Sequence, residues 1–198
     1  MEEIVKKQQQ KFNKVREQMQ HWDDIQRRLI FQFSNASSII LRLEVLGDKN
    51  YYGSLRGVDG IHDAVLRKQM KSLETILVSI KKIMEDFQGI VVFLEKMVRD
   101  SKQQVQGGSN RLSTKQLQQR IGVKPSLSDC LQGLAILQEM HSSEYLLKKS
   151  VISALMKIAL KPRATDLGAL RQLLVDQPNI PKDEVQFLFD IIFSEDIS

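Results

Sequence analysis

Apolar residues recur at steps of three and four through the first 46 residues: Phe12, Val15, Met19, Trp22, Ile25, Leu29, Phe33, Ala36, Ile40 and Leu43. That spacing lays them on one stripe of an α-helix. Lys14, Glu17, Gln18, Asp24, Arg28 and Gln32 fall on the opposite face, and Ser34-Asn35 with Ser37-Ser38 is a place to expect a bend. A second, wider stripe runs over 61–105, through Leu73, Ile76, Leu77, Ile80, Ile83, Met84, Phe87, Ile90, Val91 and Leu94. A stripe that broad faces more than one neighbour. Between the two lies Gly47 to Gly60, rich in turn and cap residues, which predicts a flexible loop joining two antiparallel helices.

The pattern changes after residue 105. Gln106-Gly107-Gly108-Ser109-Asn110 opens a polar, Gln-rich stretch reaching Lys124. Pro125-Ser126-Leu127-Ser128-Asp129 then reads as a helix start, with Ser126 and Asp129 spaced as a capping box built on a shorter acid. Leu127, Leu131, Leu134, Leu137, Tyr145, Val151, Ile152 and Leu155 continue it to Lys161-Pro162. Two short helices follow, near 165–175 and 182–193, separated by Pro178 and Pro181. The fold expected is all-α: a long antiparallel helical hairpin (1–105), a polar linker (106–124) and a C-terminal helical module or bundle (125–198). Only 4 prolines in 198 residues suit long helices, since an interior proline costs about 3 kcal/mol.

Charge sharpens this picture because it is uneven. Residues 111–163 hold nine Lys/Arg against three Asp/Glu, a local +6; residues 164–198 hold two against seven, a local −5. A basic stretch before an acidic tail can pair internally or select charged partners. The single cysteine, Cys130, excludes an internal disulfide and fits a reducing compartment. The first residues, Met1-Glu2-Glu3-Ile4-Val5-Lys6-Lys7, have no apolar signal core, and no apolar run approaches the ~18 residues that span a bilayer. The expectation is a soluble cytoplasmic or nuclear protein with no membrane contact.

Catalytic chemistry has little to stand on. No phosphate-binding glycine loop or dinucleotide fingerprint is present. His21, His62 and His141 lie far apart, with no second ligand at helical spacing, so neither a metal site nor a cofactor is expected. Ser79-x-x-Lys82 spells a nucleophile dyad but sits mid-helix without its partner motifs. Cys130 lies among leucines and reads as a buried thiol. No nucleophile, base and oxyanion donor occur together, so the reading is not an enzyme. A helical hairpin of this kind has too little core alone and wants a partner, internal or external. Candidate partner-binding residues are Trp22, Leu127, Leu131, Leu134 and Tyr145 from the stripes, with Lys148 and Lys149 as an exposed charged rim; for Trp22 core packing is the first reading and an interface anchor the alternative.

Four collinear segments resemble one small family. They are Phe12-x-x-Val15-x-Glu17-Gln18-x-x-x-Trp22; Leu66-Arg67-Lys68-Gln69-Met70; Pro125-Ser126-Leu127-x-Asp129-x-Leu131-x-x-Leu134-x-x-Leu137 with Tyr145-Leu146-x-Lys148; and Ile180-x-Lys182-Asp183-Glu184-x-Gln186. Together they resemble the AIRIM family of ribosome maturation factors, its plant relatives in particular. Two departures stand out: Gly133 sits where the pattern has a bulky aromatic, and 160–175 lacks its tryptophan. The resemblance implies no catalytic residue. It implies a non-catalytic adaptor of an AAA+ ATPase complex in cytoplasmic large-ribosomal-subunit maturation. The implied partners are the ATPase, a second small helical subunit and, indirectly, the pre-ribosome, with shuttling between nucleus and cytoplasm. Two other functions fit the residues: an RNA- or ribosome-binding protein using basic segment 111–163, and a coiled-coil tethering or trafficking subunit.

Overall fold

The first apolar stripe forms one uninterrupted helix, α1 (Glu2–Leu46). Eight of its ten stripe residues are buried, and only Met19 and Leu43 are half-exposed. The helix is not interrupted at the serines, where Ser34, Ser37 and Ser38 each turn the hydroxyl back onto the carbonyl four residues earlier at 2.9 Å. That bond occupies the hydroxyl without breaking the helix. The computed structural model describes residues 2–106, 112–120, 122, 124–159 and 163–194. Among them the chain is all-α, with α2 (Ile61–Gln106), α3 (Thr114–Gln118), α4 (Leu127–Ile158), α5 (Ala164–Asp176) and α6 (Lys182–Ile192).

The connection from α1 to α2 is not the featureless loop expected from its glycines. It carries 3-10 turns over Lys49–Gly57 that break at Gly53, whose φ of 52° is readily open only to a residue without Cβ. Asp48 caps the first turn through Asn50 N at 2.9 Å, and Tyr52 Oη donates to the Leu46 carbonyl at 3.1 Å. The stretch 106–124, expected as a linker, contains α3. Ser113 and Gln116 cap it reciprocally, at 3.3 Å from Gln116 N to Ser113 Oγ and 2.8 Å in return. Residues 107–111, 121 and 123 of that stretch lie outside the described residues.

Contacts group the chain into two compact units, each drawn from segments far apart in sequence. Unit 1 comprises Met1–Asp23, Phe87–Leu146 and Gln177–Ser198; unit 2 comprises Asp24–Asp86 and Leu147–Asp176. In unit 1, α1 and α2 run antiparallel, since partners on one rise as those on the other fall. Gln8 Nε2 reaches Gln104 Oε1 at 3.3 Å, Lys11 Nζ reaches Ser101 Oγ at 2.9 Å, and Trp22 packs on Phe87 with ring centroids 4.5 Å apart. Gln8 and Ser101 are fully buried, so the seam is polar inside an apolar stripe. A register shift would leave these groups unpaired at a cost of about 1–3 kcal/mol each. The same burial holds the Lys11 ammonium pKa below its ordinary value, against the raising effect of Asp100.

In unit 2 the apolar stripe is nearly unbroken: Ile25, Leu29, Phe33, Ala36, Ile39 and Ile40 are buried on α1. Arg28 pairs with Asp86 at 3.6 Å, and α5 is tied to α1 where Arg171 Nε donates to Ser34 Oγ at 3.1 Å. The expectation that nothing here approaches a membrane span needs correcting. α1 contains an 18-residue window of mean hydropathy 1.3, of which 28% is buried, so by length and composition alone it could cross a bilayer. A core helix meets the same criterion, and the α1 stripe is buried among its own chain.

Candidate partner-binding surface

The start of α4 is fixed by the capping pair expected from the sequence. Ser126 N donates to Asp129 Oδ2 at 3.0 Å, and Asp129 N donates to Ser126 Oγ at 3.1 Å. Arg120 adds an ion pair to the same carboxylate at 3.1 Å. Burial alone would raise the Asp129 pKa, but the Ser126 bonds and the Arg120 charge outweigh it and leave it lowered. The next residue, Cys130, is wholly buried, and burial with the neighbouring Asp129 charge pushes its thiol up to about 12. It is a packing residue at neutral pH, as its leucine neighbours suggested.

The proposed partner-binding residues separate sharply by exposure. Trp22, Leu127 and Leu134 are buried in unit 1, while Leu131 and Tyr145 are half-exposed there. Lys149 is exposed and Lys148 is fully buried, both in unit 2. The expectation of an exposed rim at Lys148 is therefore wrong. The reason lies in the stripe itself. Stepping by four and three from Leu137 passes through His141, Glu144, Lys148, Val151 and Leu155, so three ionisable residues occupy core positions of α4. All three are buried, whereas Tyr145, through which the sequence carried the stripe, is half-exposed.

Two of those residues, with Trp22, organise the interior of unit 1. The Trp22 ring lies edge-on to His141 at 4.7 Å, and its Nε1 donates to Gln177 Oε1 at 2.9 Å. His141 Nδ1 donates to the Leu137 carbonyl at 2.7 Å, which fixes the proton on that nitrogen. The Glu144 carboxylate accepts from Asn179 N at 3.2 Å and from Asn179 Nδ2 at 3.1 Å. Gln177 adopts a left-handed φ of 44°, uncommon for a residue with a side chain. The turn before α6 is thus held by buried polar bonds, which is why Trp22 is core here.

Beside this interior, α4 and α6 enclose an open groove of about 360 Å³. Gly133 and Ile136 line it from α4, and Phe187, Leu188, Ile191 and Ile192 from α6, with Asp129, Gln132 and Glu184 at the edge. Phe187 is 64% exposed, a large apolar ring left in solvent. α6 is docked independently of it. Phe189 meets Phe12 edge-to-face at 6.1 Å, and the Arg16 guanidinium lies 4.3 Å from the Phe193 ring centre and 5.0 Å from that of Phe189. Gln9 Nε2 also donates to the Ile192 carbonyl at 2.9 Å. Gly133 explains one departure from the family pattern: a Cβ there would lie 3.2 Å from Phe12 Cζ, so the aromatic bulk at this point comes from α1. No sequence signal marked the groove, because which flank of α6 stays open depends on how α1 covers the other.

Among the described residues, no group of three or more His, Cys, Asp and Glu could hold a metal ion. The class defined by these features is an all-α protein with buried polar cross-links and an open apolar groove. The chain belongs to the family described as ribosome biogenesis protein C1orf109-like, which matches residues 2–197 and is the AIRIM family resembled in its motifs. No curated protein matches it significantly. Its role is accordingly in ribosome biogenesis.

Proposed function

We propose that the protein is a non-catalytic adaptor subunit of an AAA+ ATPase complex that matures the large ribosomal subunit. It acts in cytoplasm and nucleus beside a second small helical subunit, as the family resemblance implies, and its motifs lie nearest the plant members. The observation that carries the adaptor reading is the α4–α6 groove, with Phe187 exposed at its lip on a helix already docked by Arg16, Phe12 and Gln9. Exposed apolar surface on a preorganised platform suits a protein partner.

A second reading, direct RNA contact, is supported by unit 2, where sixteen Lys/Arg face ten Asp/Glu for a net +6. Segment 111–163 itself supports it less. Arg120 pairs with Asp129, Lys124 with Glu2, and Lys148 is buried, so at least three of its nine basic residues are committed within the chain.

Affinity purification of the full chain from native cells, followed by mass spectrometry, separates these. Recovery of an AAA+ ATPase after nuclease digestion supports the adaptor. Ribosomal RNA and ribosomal proteins alone, lost steeply with salt, would favour the RNA reading. Tethering or trafficking subunits instead would favour a coiled-coil tethering role.

A further inference from the structure

We propose that the α4–α6 groove seats a basic amphipathic helix of a protein partner; the inference deepens the adaptor reading and rests on it. The groove floor is apolar, and its α6 lip alternates apolar and acidic residues. Phe187 has Asp183 and Glu184 one turn before it and Asp190 and Ile191 one turn after, so all five share a face. Asp183, Glu184 and Asp190 are exposed, and none of them enters an ion pair with another described residue. The chain from Gln177 onward carries five acids against the single Lys182. Asp190 accepts a hydrogen bond from Gln186 Nε2 at 2.7 Å and keeps its charge. An apolar trough whose α6 lip carries carboxylates with no cation beside them selects an occupant with an apolar stripe flanked by Lys or Arg, which is the helix-in-groove mode of recognition. A second copy of this chain is a poor occupant, because the same acidic lip would meet itself.

Because the partner helix is unidentified, the probe is a fluorescein-labelled amphipathic peptide of leucine and lysine, with a leucine–glutamate peptide as control. Each is titrated into the full chain and read by anisotropy. The lysine peptide is expected to bind and the glutamate peptide not. Phe187→Ala should weaken binding about tenfold. The pair Asp183→Lys with Glu184→Lys should abolish it and admit the glutamate peptide. Phe187 is exposed, so its variant should keep the melting temperature; the lysine pair lies in the first turn of α6 and should lower it modestly, with helical circular dichroism retained at the binding temperature. Glu74→Lys, an exposed acid in unit 2, controls for nonspecific charge. Binding indifferent to Phe187 and to the lip acids, or lost equally with Glu74→Lys, would overturn the proposal. So would sedimentation showing that the chain dimerises through Phe187. If the peptide binds as expected while no ATPase is recovered from cells, the groove stands and the adaptor reading fails. If the ATPase is recovered with wild type and with Phe187→Ala alike and the peptide does not bind, the reverse holds.

Discussion

The two units use the same helices in different ways. Unit 1 is nearly neutral, thirteen Lys/Arg against fourteen Asp/Glu, and its interior is cross-linked by polar bonds: Trp22 to Gln177, Glu144 to Asn179, Gln8 to Gln104. Unit 2 carries a net +6, more than the whole chain's +5, over a mainly apolar stripe with fewer buried polar groups, Gln26 bonded to the Leu174 carbonyl and Lys148 among them. Polar bonds between elements are directional and specify one arrangement, whereas apolar burial is indifferent to small slips. The contrast teaches that unit 1 is built to hold a defined surface and unit 2 to present charge.

The largest expected break of this contrast is Trp22→Ala, which empties a buried site and removes the Nε1 donor to Gln177. It should destabilise by about 3–5 kcal/mol in denaturant titration. Trp22→Phe keeps an aromatic ring, loses the donor and some volume, and should still cost about 1–3 kcal/mol. Little change in either variant would mean that the cross-link is not structural. Lys148→Glu is expected to cost about 3–5 kcal/mol, because it puts an acid in place of a fully buried lysine. The exposed neighbour Lys149→Glu should stay within about 0.5 kcal/mol of wild type.

That pair of lysines shows where sequence reasoning stops. The periodicity of α1, α2 and α4, the Ser126–Asp129 cap and the two short final helices were legible, because each is local and set by spacing or by a named cap. The buried face of Lys148 was also encoded, by its phase with Leu137 and Leu155, but lysine composition pointed outward. The candidate site was far less legible. Phe187 lies in an ordinary amphipathic segment, and its exposure depends on Phe12, Arg16 and Gln9, more than 170 residues away in the chain.

Smaller effects sharpen unit 1 further. Gly133→Ala sets a helix-propensity gain of about 1 kcal/mol against crowding of Phe12 at 3.2 Å, which overpacking data put at about 1–3 kcal/mol. A net loss of about 1 kcal/mol is expected, and it should vanish when Phe12 is changed to leucine. An unchanged loss in the double variant would deny the contact.

Asp129→Ala should cost about 1 kcal/mol at neutral pH through the lost cap. The folded pKa of Asp129 is lowered, so this contribution is complete above the unfolded value near 4. It is lost as pH falls through the lower folded value, so wild type and variant should converge in acid. A gap that stayed constant there would contradict the assignment. Least perturbing is a thiol-reactive probe, which should leave Cys130 unmodified at pH 8 until the protein unfolds.

Amine-reactive cross-linking of the natively purified complex, read by mass spectrometry, tests the division of labour most directly. Lys182 is exposed in the first turn of α6, the helix that carries Phe187, whereas Lys68, Lys71, Lys81 and Lys82 are exposed on unit 2. The account predicts that links to the protein partner concentrate on Lys182. Partner links confined to the unit 2 lysines, with Lys182 unlinked, would contradict it.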